Sequence, residues 1–478
     1  MQRLNIEPWM LYVLPLLLGT ALLLVGKSTK ALAWVAGATL LLASIGPHVT
    51  WTKRVYQTWV LPLQLNRSAL FFMCCGLLLI GVLFHARRLR GVRFPLLASM
   101  LLLIGLYAGL LRIVHDDITT SITSIAGTLL SVGAIGYAAV ATSEKYDGMI
   151  NLVRSIALAG LVWTGMVAVQ FVLNRSLIVI PRPPRFLGLG NNPQSTAIML
   201  GPMATTMLWL AINDPWRVLK PMWYASVGLF ALLIIWSGSR TGAGMFMLGA
   251  VMVTYSRLGK VVFLLPVAGL VLFLLLDVLQ AMGMEITSRV TSTENTRDEV
   301  WGRLINSALS NPIIGEGQNE EVGSENSYLF GFAAYGIGML IIMLSYAGLI
   351  GWVSLKLLRA KKILPDHYAR LVDICHGYFA AYLFGSIFEG YFLARVASNL
   401  VFMLLFAGLA SRLLWVARSI RNGDPSFEQG AYLEYPAADF APDSTAALDW
   451  GEQDGAAAGT SSWEEDYHGS EYEGARAT

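Results

Sequence analysis

Glu325 stands with Asn326 where a polar stretch gives way to the apolar run that begins SYLFGFAAYGIGML. A carboxylate in that place has two uses. Solvated, it favours the positive end of the helix that follows. Partly buried, its pKa rises and it becomes a general base for the proton of an attacking hydroxyl. Glu389, in GSIFEGYFLARVASN, poses the same alternative in a more apolar setting, six residues before Arg395. A carboxylate inside a membrane is a functional candidate with Arg395 as its partner, and an ion pair joining two spans accounts for the same residues.

Several arginines could bind an anion. Arg240 lies in IIWSGSRTGAGMFML, between two apolar segments and among Ser, Gly and Thr. An arginine at a membrane edge can simply snorkel to water. Small neighbours, however, permit close approach of a ligand or helix, and a guanidinium grips a phosphate through two parallel hydrogen bonds. Arg182 and Arg185 belong to PRPPRFLGLGNNPQSTAIML, whose prolines exclude an ordinary helix until Asn192 and Pro193 start one. The N-terminus of that helix favours anions, although a capped helix beside two solvated arginines also fits. The glycines of GLGNN are too few and wrongly placed for a nucleotide-binding loop. Arg297 opens TRDEVWGRLINSALSNPIIGEG, where Val300, Trp301, Leu304, Ile305 and Ala308 recur at helical spacing. This predicts an amphipathic helix along a membrane surface, ended by the turn residues of NPIIGEG, as a lid over a site.

The elements that must position these residues are apolar. The chain has 478 residues, 55% hydrophobic and 14% charged, against about 25% charged in a soluble domain. Runs of about 20 apolar residues recur, and the sequence predicts an all-α, polytopic integral membrane protein with about 12–13 transmembrane helices and a large extracytoplasmic loop. The expected centres fall near Leu17, Gly37, Gly76, Leu103, Ala126, Val162, Ala204, Ala231, Leu248, Ala268, Leu340, Ala381 and Leu404. Residues 1–180 read as N-terminal spans and 181–415 as a second membrane region containing the loop 282–325. The first apolar run precedes Lys27 and Lys30 and reads as a retained helix rather than a leader. Cys74, Cys75 and Cys375 have no metal-ligand spacing and read as small buried hydrophobes.

The net charge of +3 conceals two opposed parts. Thirteen of the 31 acidic residues but one of the 34 basic ones follow Arg421, leaving 33 basic against 18 acidic before it. Residues 422–478 read as an acidic, disordered cytoplasmic tail. The positive-inside rule puts four basic loops on the cytoplasmic side: Arg87 to Arg93, Arg217 with Lys220, Arg257 with Lys260, and Lys356 to Lys362. The candidate residues then share the opposite face.

In this order, these pieces resemble the O-antigen ligase/polymerase superfamily of bacterial membrane glycosyltransferases, over roughly Arg185 to Ala410. RFLGLGNNPQSTA resembles the family's Arg-x-x-Gly and Asn-Pro-Asn segment, with Gln194 in place of the last Asn. SGSRTGAG resembles its Ser-Arg-x-Gly turn, whose arginine maps to Arg240. TRDEVW and NPIIGEG resemble its large periplasmic loop at Arg297, Trp301, Pro312, Gly315 and Gly317. Glu325, Asn326, nine residues and Gly336 reproduce the ligase spacing of His, Asn, nine residues and Gly. Glu325 thus occupies the family's histidine position, which leaves ligase and polymerase equally open.

The resemblance implies inverting, metal-independent transfer of an undecaprenyl-diphosphate-linked glycan to a glycan or lipid acceptor, in surface polysaccharide biosynthesis. Its place would be the outer face of a bacterial inner membrane. Arg240 and Glu325 are then the catalytic candidates. Arg185, Arg297, Asn326, Arg182, Glu389 and Arg395 are the substrate-binding ones. No cofactor and no nucleic acid is implied, since departure of the diphosphate supplies the driving force. A polysaccharide or lipid-linked-glycan transporter, or a non-catalytic relative that only binds the glycan lipid, are the alternatives; transporters tend to carry internal repeats and midplane charges.

Overall fold

The computed structural model describes residues 10–47, 58–85, 93–181, 184–190, 192–259, 297–318, 325–392 and 397–423. Arg182, Arg395, the apolar segment near Ala268 and the acidic tail from residue 424 lie outside them. So do two parts of the expected loop, residues 282–296 and 319–324.

The architecture is all-α with one small hairpin. The helices are α1 (Met10–Lys27), α2 (Thr29–Ser44), α3 (Leu61–Phe84), α4 (Leu96–His115), α5 (Ile118–Thr142), α6 (Tyr146–Leu173), α7 (Pro193–Asn213), α8 (Lys220–Ser237) and α9 (Arg240–Leu258). Then follow α10 (Arg297–Ser310), α11 (Ser327–Lys361), α12 (Asp366–Phe388) and α13 (Ser398–Arg421). The Pro-rich stretch forms the hairpin, β1 (Val179–Pro181) against β2 (Pro184–Phe186), with Val179 opposite Phe186.

Among the described residues nine helices are long and apolar enough to cross a membrane. The all-α, polytopic expectation is thus met, while the expected count of 12–13 includes a segment outside the described residues. Of the expected spans among the described residues, α2 and α9 fall outside the nine. The α2 helix has 16 residues, short of the roughly 20 a bilayer core needs. The α9 helix carries Arg240 and Arg257 and is rich in small residues, which let it pack tightly instead. A Cβ on Gly242 would stand 2.5 Å from the Ala197 Cβ of α7, and one on Gly249 would stand 2.3 Å from Thr205 Oγ1. These contacts make α7 and α9 parallel, with their N-termini side by side.

On its other side α9 packs against α12. A Cβ on Gly244 would stand 2.4 Å from Phe384, and one on Gly377 3.0 Å from the Gly249 carbonyl. The α12 helix therefore runs antiparallel to α9 and ends beside its start. Membrane depth demands that backbone and hydroxyl groups be satisfied internally. Thr205, Thr206 and Thr254 meet that demand by donating to the carbonyls of Gly201, Pro202 and Ala250, four residues back. The most hydrophobic stretches of α7 and α13 are each 83% buried, against 28% for those of α3 and α8. The first pair forms the centre of the bundle and the second faces its surroundings.

Candidate functional site

The site is made of helix ends. At the α8–α9 junction Gly238 (φ 65°) ends one helix in the left-handed region, and Ser239 caps the next by accepting from the Gly242 amide at 3.2 Å. Arg240 is thereby the first residue of α9, and its side chain is exposed. Asn192 caps α7 ahead of Pro193, as its sequence predicts. Asn326 caps α11, accepting from the amides of Tyr328 at 2.9 Å and Leu329 at 3.0 Å. The Asn326 side-chain oxygen is therefore engaged with backbone.

Four elements meet at this end. Arg297, the first residue of α10, donates from Nη2 to the Thr241 hydroxyl at 3.0 Å. The same guanidinium lies over the Phe388 ring of α12, 4.9 Å from its centroid. Its Nη2 is 3.6 Å from Glu389 Oε1, and its Nε is 4.0 Å from Glu325 Oε2. Neither carboxylate oxygen has a hydrogen-bond partner, and both are shut off from solvent. The Ser327 hydroxyl ties the two carboxylate-bearing strands of chain together, donating to the Glu389 carbonyl at 2.6 Å and accepting from the Tyr391 amide at 3.2 Å.

This arrangement gives the two carboxylates different characters. The Glu389 side chain is 13% exposed and that of Glu325 is 30%. Burial pushes the Glu389 carboxyl up to about 8; Arg297 opposes the rise, the negative charge of Glu325 adds to it, and the Thr241 hydroxyl opposes it. One guanidinium cannot neutralise two carboxylates, so the trio retains a proton or a negative charge. Arg297 stands 3.6 Å from Glu389, while Arg395, the partner expected from the sequence, lies outside the described residues.

Arg185 is placed by the hairpin. It is buried on β2, and its Nε donates to the Ser237 carbonyl at 2.8 Å. It braces the turn that presents Arg240. Arg182 and Arg395 fall outside the described residues.

The turn after α10 is held as closely as the helix. Gly315 and Gly317 have positive φ (71° and 81°), and so does Gly336 (74°), which breaks α11 after its first nine residues. The Glu316 and Gly317 amides donate to the Ala333 and Ala334 carbonyls at 2.9 and 3.0 Å. The Ile337 amide donates to Pro312 at 2.8 Å. A Cβ on Gly336 would overlap the Ile313 carbonyl oxygen at 2.0 Å. The glycines and the proline of the sequence pattern thus exist to let two irregular backbones exchange hydrogen bonds.

Sequence reasoning missed the residues that brace this junction from α4. Arg112 Nε donates to the Tyr335 hydroxyl at 3.0 Å, and its Nη2 to Gln318 Oε1. His115 Nε2 is 3.1 Å from the Ile314 carbonyl. An arginine and a histidine in the last turn of an apolar helix, away from the basic loops, were the available signal. Thr241 and Phe388 were adjacent to named candidates and carried none of their own. A scan of protein-family models finds no match to the chain, and no curated protein matches it.

Proposed function

We propose that this protein transfers glycan from a polyprenyl-diphosphate carrier to an acceptor hydroxyl at the end of the bundle where α9, α10, α11 and α12 meet. The reading rests on the sequence motifs, and one observation supports it above the rest. Thr241, Glu325 and Glu389, from three separate segments, all meet Arg297 from a fourth, and Thr241 follows Arg240 in the chain.

In this reading Glu325, the more open carboxylate, takes the proton of the acceptor hydroxyl as its oxygen bonds to the sugar C1. The bond from C1 to the diphosphate breaks, and the diphosphate departs with the electron pair. Arg240, at the positive end of α9, stabilises that charge. Arg297 is committed to two carboxylates, so it orients the base rather than binding the diphosphate. The α10 helix and its turn cover the site and exclude water, which would otherwise compete as acceptor.

In cells, Arg240→Ala should abolish the surface glycan and leave the lipid-linked intermediate to accumulate, a loss of 10²-fold or more by analogy with a removed charge-stabilising donor. Glu325→Gln should reduce transfer by about 10²–10⁴-fold. Normal glycan in both variants, at equal membrane expression, would refute the assignment. A second reading, a proton-coupled exporter of lipid-linked glycan, draws on the buried Glu389. Purified protein in vesicles separates the two, since only the first makes a new glycosidic bond.

A further inference from the structure

At the end of the bundle remote from the carboxylates, four cations gather round the C-terminus of α7. Arg257, in the last turn of α9, donates from Nη2 to the Ile212 carbonyl at 3.1 Å and to Asn213 Oδ1 at 3.3 Å. Lys220, the first residue of α8, reaches the same Ile212 carbonyl at 3.4 Å. Arg217 precedes α8, Arg370 belongs to the first turns of α12, and both act electrostatically on Lys220. Trp209 Nε1 fixes α12 here by donating to the Arg370 carbonyl at 2.8 Å.

These cations outnumber the acidic groups beside them. Asp214, whose charge acts on Lys220, is engaged elsewhere. It accepts from Arg154 at 2.6 and 3.2 Å, from the Trp223 indole at 3.0 Å and from the Trp216 amide at 2.8 Å. Among the described residues none of the four cations forms an ion pair with a carboxylate. The C-terminus of α7 offers these cations about half a negative charge, and two like charges on one carbonyl still repel, so the cluster keeps a net positive charge.

The geometry invites an anion. The Lys220 and Arg257 nitrogens can be no further apart than the sum of their distances to the shared oxygen. A phosphate accepting from each at about 2.8 Å spans such a gap. The surroundings specify where the phosphate comes from. Trp216, Val218, Tyr224, Tyr255 and Leu258 are exposed around the cluster, at 61%, 89%, 53%, 52% and 45%. Exposed aromatic and aliphatic side chains beside cations at a helix end form an amphipathic surface suited to a membrane interface.

We propose that Lys220 and Arg257, with Arg217 and Arg370 around them, bind the phosphate headgroup of an anionic phospholipid. The bound lipid ties the ends of α7, α8, α9 and α12 together. These helices carry the candidate site at their other ends, but this inference holds whether or not the protein is a transferase.

The test uses the purified full chain in a neutral detergent, supplemented with phosphatidylglycerol, with phosphatidylcholine or with inorganic phosphate. Phosphatidylglycerol should raise Tm by about 2 °C or more, while the other two should not. The double variant Lys220→Gln with Arg257→Gln should lose most of that rise while folding with a Tm close to the wild type in detergent alone. If that variant does not fold, Arg217→Gln with Arg370→Gln serves in its place and should lose part of the rise. An equal rise with phosphatidylcholine, an equal rise with phosphate alone, or a full rise in the variants would each overturn the proposal.

Discussion

Two glutamates on one arginine do not share its charge equally, because they are not equally dry. Glu389 ends α12 against Phe388 and Thr241, while Glu325 precedes α11 and keeps a face to solvent. Desolvation favours the proton on Glu389. The consequence for stability has a definite sign. The folded protein holds that proton up to about 8, against 4.5 for an ordinary glutamate. The stabilisation it brings is complete below 4.5 and is lost as pH rises through 8. Glu389→Gln keeps a neutral group of the same size at all pH values. Its Tm should therefore fall less than that of the wild type between about pH 5 and pH 9. A parallel fall in both proteins would mean that Glu389 is already ionised at pH 5.

At the scale of elements, the question is why a helix should be broken where a straight one would bury more. The start of α11 and the turn 311–317 exchange backbone hydrogen bonds, with positive-φ glycines on both sides, Gly315 and Gly317 in the turn and Gly336 in the helix. Gly336, at φ 74° and ψ −176°, occupies a region that only glycine enters freely. Gly336→Ala should cost about 2 kcal/mol or more, since the new methyl also overlaps Ile313. Limited proteolysis should then cut within 297–318 faster than in the wild type. Gly348→Ala, in the same helix with nothing within 4 Å of its Cβ position, should be neutral or stabilising. Equal behaviour of the two variants would remove the junction from the argument. This part of the molecule was half legible in the sequence. The glycine and proline positions stood out because backbone demands leave their mark on single residues. Arg112 and Tyr335, 223 positions apart, carry no local pattern that announces their pairing. The amphipathic helix over 297–309 was legible too, and α10 buries Leu304 and Ala308 as that periodicity implies. Ile305, counted on the same face, is 44% exposed, because the step of about 100° from Leu304 turns it away from the side that buries Leu304 and Ala308.

For the whole molecule, the apolar runs made the bundle legible, but its two ends differ in a way that composition conceals. The starts of α7, α9 and α11 and the close of α12 lie together with the carboxylates. The other ends of α7, α9 and α12 lie together with Arg257, Arg370 and, from the start of α8, Lys220. If the basic end faces the cytoplasm, as charge asymmetry implies, then α10 faces outward. Single cysteines can decide this. The three native thiols, Cys74, Cys75 and Cys375, are buried and unpaired, so they offer little background to a membrane-impermeant reagent. Asn306→Cys on the exposed face of α10 should label in intact cells without permeabilisation. Ser256→Cys at the exposed end of α9 should label only after the membrane is opened. The reverse pattern would put the carboxylates inside the cell, where a lipid-linked glycan is assembled rather than consumed, and would redirect the functional reading toward an earlier step. Labelling of both from one side would mean that α9, a helix of 19 residues with an arginine at its first position, does not cross the membrane.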